Sequence, residues 1–232
     1  MDTLLIRLIG PQQAWGVQSA GENRDTGREP SKSGVIGLLC AAMGRPRQQP
    51  LEDLNALRMG VRVEREGNLE SDYQTIHRIN WVGESSPGSI STRYYLSGAA
   101  FLVGLEGDLA LLERLQAALL HPHWLLYLGR KAFPPSLPIY LPDGLCKGQT
   151  LEEALRVYPW LLSDLLANEE TLQKIGPMID PPPNLRIVLE DTQGEITCMD
   201  SPVSFSDRHF FSRRIHIDRI ANPSAIVKKV EA

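Results

Sequence analysis

LLIRLIG (4–10), PQQAWG (11–16) and SKSGVIGLLCAAMG (31–44) follow one another near the start of the chain, joined by a loop that carries Arg24, Gly27, Arg28 and Pro30. The first block is mostly apolar with weak alternation, the pattern of a central strand, and Gly10-Pro11 ends it. The last block reads as a helix with Ser31 or Ser33 as N-cap and Val35, Ile36, Leu38, Leu39 and Met43 on its buried face, stopped by Gly44 and Pro46. The intervening stretch from Gln12 to Pro30 is long for a compact domain, and loops of that length are usually functional or disordered. A buried strand, a basic loop and a helix start together make a place to grip an anion, because free N–H groups and the positive helix end face the loop.

Outward from that block, Leu51 to Leu57 reads as a short helix and Met59 to Glu66 as a strand. Asp72 to Leu96 mixes Tyr73, Trp81, Tyr94 and Tyr95 with Arg78 and Arg93 around a Gly-Ser-Pro tip at Gly83 to Gly88. That composition predicts an extended hairpin, an arm at about 72–96, rather than core strands. Ala99 to Leu105 is a second apolar strand. Asp108 caps a helix to Leu120 with Leu111, Leu112, Leu115 and Leu119 as its stripe, and a short strand is expected near Leu125 to Leu128. This order is compatible with a ferredoxin-like βαββαβ arrangement in an α+β fold. The expected division is a first domain over 1–130 and a C-terminal region over 131–232. In the latter, Thr150 and Glu153 form a capping box for a helix over about 151–166. Leu185–Glu190 and Glu195–Met199 form a hairpin around Thr192-Gln193-Gly194, and His209–Ile220 is a closing strand with Arg213 and Arg214.

The chain has 232 residues, 42% hydrophobic and 22% charged, ordinary values for a globular protein. No apolar run approaches the roughly 20 residues of a membrane span, and MDTLLIRLIG lacks the basic flank and cleavage site of a signal peptide. Cys40, Cys146 and Cys198 are too scattered for a zinc site or a disulfide framework, so a reducing, cytoplasmic setting is expected. Net charge is −4, but five bases against two acids lie between Arg24 and Arg47, while ten acids against three bases lie between Thr150 and Asp200. One anion-binding face on an otherwise acidic protein fits that polarity.

GREPSKS at 27–33 lacks the second glycine of a phosphate-binding P-loop and places Lys32 one position early, which argues against a mononucleotide cradle. Arg24, Arg28 and Lys32 suit an extended phosphate chain instead. Trp15 either stacks a base, as in single-strand binders, or anchors the loop from within. Arg130 and Lys131 beside Gly129 suit a backbone phosphate or a solvated turn. His121 and His123 have no third ligand nearby, so no metal is expected. His77, Tyr73, Tyr95 and Lys32 are the groups from which a metal-free ribonuclease would be built, but no spacing specifies one.

PQQAWG at 11–16 followed by RDTGREPSKSGVIGLL at 24–39 resembles the N-terminal signature of the CRISPR-associated CasD family, the subtype I-E Cascade subunit within the fifth Cas superfamily. DYQT at 72–75, STRYYLSGAAFLVGL at 91–105 and LYLGRKAFPPSLPIY at 126–140 continue the resemblance, and FFSRRIHI at 210–217 follows more loosely. The acidic region over 150–200 matches least. The resemblance implies a ferredoxin-like (RRM-type) domain with a protruding β-hairpin thumb and a smaller C-terminal β-rich region. It implies a structural subunit that caps the 5′ handle of the CRISPR RNA, with no catalytic residue, metal or cofactor. Its implied partners are the neighbouring backbone subunit, the large PAM-reading subunit and, through the guide–target duplex, target DNA, with no membrane. A related subtype's member cleaves RNA, so a metal-independent endoribonuclease is the alternative. The RNA-binding residues expected are Trp15, Arg24, Arg28, Ser31, Lys32, Ser33, Arg78, Arg93, Arg130, Lys131, Arg213 and Arg214.

Overall fold

The computed structural model describes residues 1–17, 22–79, 81–163 and 181–224, with the side chains of 76–78 and 85–89 outside that description. Strands β1 (Asp2–Ile9), β4 (Arg58–Arg65), β7 (Ala100–Gly107), β8 (Tyr140–Cys146), β9 (Asn184–Glu190), β10 (Ile196–Ser204) and β11 (His209–Ala221) form one sheet. Its order is β10-β11-β9-β4-β7-β1-β8, and every neighbouring pair is antiparallel. The protein is thus a mixed α/β, sheet-rich fold with a few helices.

The alternation within β1 shows why its sequence looks uniformly apolar. Leu4, Ile6 and Leu8 point to one face, where α1 (Lys32–Met43) and α3 (Leu109–Leu120) pack, with α2 (Glu52–Asn55) contributing Leu54. Leu5 and Ile9 point to the other, where α4 (Leu151–Val157) and Trp160 close a second core. A strand buried on both faces has no polar side to show. Asp108 accepts from Leu111 N–H at 3.1 Å as the N-cap of α3, as expected. Buried Arg62 donates to the carbonyls of Leu155, Tyr158 and Pro159 at 2.6–2.8 Å and pairs with Glu64, so it satisfies acceptors that the end of α4 leaves open.

Strands β5 (Asn68–Ile79) and β6 (Ser85–Ser97) form the expected arm. It turns around residues 81–84, earlier than the Gly83–Gly88 tip read from composition, because Ser85 already belongs to β6. Its base carries β2 (Gln12–Gln13) and β3 (Asn23–Arg24), both from the long N-terminal loop and both paired to β6.

Three local expectations need correction. Leu125–Leu128 is not a strand: Leu125 is 86% exposed, and the edge place beside β1 is taken by β8. With Pro122 before it and Pro134, Pro135 and Pro138 after it, this segment runs as loop, pinned where Ala14 N–H donates to Leu128 O and Leu128 N–H to Phe133 O. The helix expected over 151–166 keeps its capping box but ends at Val157, because Pro159 drives Tyr158 to ψ 133°; residues 164–166 lie outside the described set. The strands around Thr192-Gln193-Gly194 are not a hairpin. They lie on opposite sides of β11, which pairs with both. The connecting turn passes so close that a Cβ on Gly194 would lie 2.5 Å from the backbone of Ile215.

Candidate nucleic-acid interface

The N-terminus of α1 was expected to hold a foreign anion, but it already holds one of its own. Lys32 N–H donates to Asp200 Oδ2 at 2.7 Å, and Ser31 Oγ accepts from Gly34 N–H at 3.3 Å as N-cap. The Lys32 side chain is 2% exposed and donates from Nζ to both oxygens of Glu190 at 2.9 and 3.0 Å. Burial lowers the pKa of this ammonium, and the Glu190 carboxylate opposes that shift. Arg213 donates to both oxygens of Asp200 at 2.6 and 2.9 Å. Two cations and two carboxylates therefore form an internal lattice tying α1 to β9, β10 and β11. Neither Lys32 nor Arg213 presents a free charge to solvent, which corrects the expectation that their side chains meet phosphate.

Trp15 is also interior, at 1% exposed, with its indole N–H donating to Gln13 Oε1 at 3.1 Å. Buried Gln13 donates in turn to the carbonyls of Leu8 and Ala99. The tryptophan packs so tightly on α1 that a Cβ on Gly34 would come within 2.8 Å of its ring. Of the two readings open in the sequence, the structure selects the loop anchor.

Other predicted residues converge in space. Arg24 on β3 lies beside Arg93 on β6 in parallel register, and Arg130 reaches back to donate to Tyr94 O at 2.7 Å and Arg24 O at 3.4 Å. The Arg130 guanidinium also lies 5.5 Å from the Phe133 ring centroid. Burial, then the charges of Arg93 and Arg24, lower the pKa of Arg130, and the Asp72 carboxylate opposite Arg93 works against them. Three like charges from segments about 70 and 106 positions apart are held together here, an arrangement that an anion would relieve. Gly129 makes this approach possible: at φ +88°, any Cβ would overlap the Ala14 carbonyl oxygen at 1.7 Å.

Arg28, Lys131 and Arg214 are exposed, and Ser33 is half-buried with its hydroxyl donating to Ser31 Oγ. Arg78 lies on β5 opposite Ser86, and its side chain is outside the described set, as is that of His77. Tyr73 is exposed on β5, and the ring of Tyr95 packs on Phe133 at 5.7 Å. His123 lies against Gly44 and Trp124, edge to face with the latter.

From Arg24 an open groove of about 900 Å³ runs along α1. Gly34, Gly37 and Ala41 line it, and a Cβ on Gly37 would come 3.7 Å from the Phe205 ring. Its lining includes Arg24, Arg45, Arg47 and Arg208 together with Trp124, Tyr127, Phe205 and Phe210, and no carboxylate lines it among the described residues. Apart from Arg24, these cations and rings were not singled out from sequence. The adjacency of HWLLY (123–127) to LGRK (128–131) carried a signal, but an apolar run next to a predicted helix was read as a strand.

A family model described as CRISPR-associated protein (Cas_Cas5) matches residues 3–216. The Escherichia coli (strain K12) protein described as CRISPR system Cascade subunit CasD is 33% identical over 184 residues, 72% of this chain and 81% of that protein. A solved structure described as a crystal structure of a Cas protein superposes with a TM-score of 0.75 at 44% identity, covering 95% of each chain. A chain of a CRISPR RNA-guided surveillance complex superposes with a TM-score of 0.72 at 28% identity, covering 96% of this chain and 92% of that one.

Proposed function

This chain belongs to the CRISPR-associated Cas5 family, and from that premise we propose that it is an RNA-binding structural subunit of a Cascade-type CRISPR surveillance complex, where it caps the 5′ handle of the CRISPR RNA. The observation that carries the reading is the convergence of Arg24, Arg93 and Arg130 at the root of the arm. Asp72, opposite Arg93 in the β5–β6 register, offsets part of their charge, and the positive excess suits the closely spaced phosphates of a bent single strand. The order β4-β7-β1-β8, with α1 and α3 on one face, supports a ferredoxin-like core, with β5 and β6 as its thumb. The thumb would meet the guide–target duplex, and the acidic surface would face the backbone and PAM-reading subunits. We assign the chain no catalytic role: of the groups from which a nuclease would be built, Lys32 is held by Glu190 and Tyr95 lies on Phe133.

The test is co-purification from cells that express the whole operon, comparing the wild type with Arg24→Ala/Arg130→Ala. The expected result is wild-type assembly carrying CRISPR RNA, and variant complexes that lose RNA at lower salt. Each phosphate contact removed should reduce the slope of log affinity against log salt by about one. Unchanged RNA content would overturn the assignment. Cleavage of repeat RNA by the lone chain in EDTA would favour the endoribonuclease instead.

A further inference from the structure

The arginine cluster explains phosphate contact but leaves the groove beyond it unused. Trp124 and Tyr127 line it, both exposed although both are large aromatics, and Phe205 and Phe210 line it as well. Arg47 and Arg208 line the same groove, and among the described residues no acid joins them there. Arg208 is held at φ +52°, the one left-handed non-glycine among the described residues. It closes the turn between β10 and β11 and so sits at the edge of the groove. The groove reaches the upper end of the roughly 300–1,000 Å³ of small-ligand sites, yet it is open along its length and continuous with Arg24. That shape suits a chain more than a single small molecule.

We propose that this groove is a base-stacking track for single-stranded RNA, in which Trp124 and Tyr127 stack unpaired bases while Arg47 and Arg208 hold the adjoining phosphates. The proposal rests on the RNA-binding reading above and assigns the part of the strand that follows the arginine cluster. Aromatic faces accept any base, so the track contributes affinity with little sequence choice. An acidic peptide would satisfy the arginines but gives the four rings nothing to stack on, which is why RNA is favoured.

The test uses the full chain and two labelled probes: a single-stranded RNA of about eight nucleotides, within the span such grooves cover, and an abasic sugar-phosphate chain of the same length. Wild type should bind the base-bearing probe at least about tenfold more tightly. Trp124→Ala and Tyr127→Ala should each weaken it by roughly 5- to 100-fold with the salt slope unchanged, since stacking carries no counterion release. Arg47→Ala and Arg208→Gly should weaken both probes alike and lower the slope by about one. Arg208→Gly should melt no lower than wild type, because glycine accepts the positive φ, so its binding loss cannot be ascribed to unfolding. Equal binding of the two probes by wild type, or aromatic variants that bind like wild type, would overturn the track. If Arg24→Ala/Arg130→Ala still abolished binding in that case, the RNA-binding reading would stand without it. If wild type bound neither probe but captured poly-glutamate, the track would fall outright.

Discussion

Arginines and lysines from the N-terminal loop, the arm, the 128–131 turn and the closing strand look equivalent in sequence, yet burial separates them. Lys32 and Arg213 are drawn inward because Glu190 and Asp200 wait there, and a buried cation persists only when paired. Arg24, Arg93, Arg130 and Arg214 keep access to solvent. Arg45 stands between these cases: it lines the groove but donates to both oxygens of Asp53 at 2.6 and 2.7 Å. That pairing holds the Asp53 carboxyl below its ordinary value. A carboxyl whose folded pKa is depressed adds stability above its unfolded pKa of about 3.9, and that contribution disappears as pH falls through the folded value. The gap in denaturant midpoint between wild type and Arg45→Met should therefore be present at about pH 6 and close below about pH 4. Because Asp53 is well exposed, the gap will be small and salt-sensitive; a constant gap across that range would disprove the coupling. Burial also pushes the Cys40 thiol up to about 11, which leaves it a neutral packing group beneath the groove.

The arm is a self-contained element. Beyond Ser91, among the described residues, its two strands pair only with each other, in a register that sets Thr75 opposite Ile90. Its exposed face carries Tyr73, Ile79 and Trp81, the last 97% exposed, so the core draws nothing from them. Replacing residues 76–89 by Asn-Gly, the turn that closes a two-residue hairpin, should leave the fold intact. Thermal unfolding should shift by less than about 4 °C, the change that about 1 kcal/mol makes in a chain of this size. A larger drop would mean that the arm braces the sheet. The arm was readable in sequence because aromatic and β-forming residues flanked a Gly-Ser-Pro cluster, a signal confined to neighbours in the chain. Its tip shifts by a few residues because strand pairing decides where the turn falls, whereas α4 ends nine residues early at a local stop, the proline at position 159.

One sheet runs through both halves of the chain. β8 pairs with β1 and β9 with β4, while Leu151, Leu155, Leu185 and Ile187 share a core with Leu5, Ala100 and Leu102. Residues 131–232 expressed alone would expose that face and lose both pairings. They should show no cooperative thermal transition by circular dichroism, whereas a sharp transition would establish independent folding. Within this frame, much was determined by sequence alone: β1, α1, α3, the Thr150 capping box and the arm all follow from periodicity and cap chemistry acting over a few residues. The cations that would meet RNA were named only in part. Arg24, Arg93 and Arg130 are on the list read from sequence and lie together in space, but Lys32 and Arg213 are not separable from them there. Lys32 and its partner Asp200 are 168 positions apart, and β11 enters between β9 and β10 from later in the chain. The tertiary structure alone decided which charges are desolvated and paired and which line the open groove, because desolvation depends on what packs around a group and no local pattern encodes it.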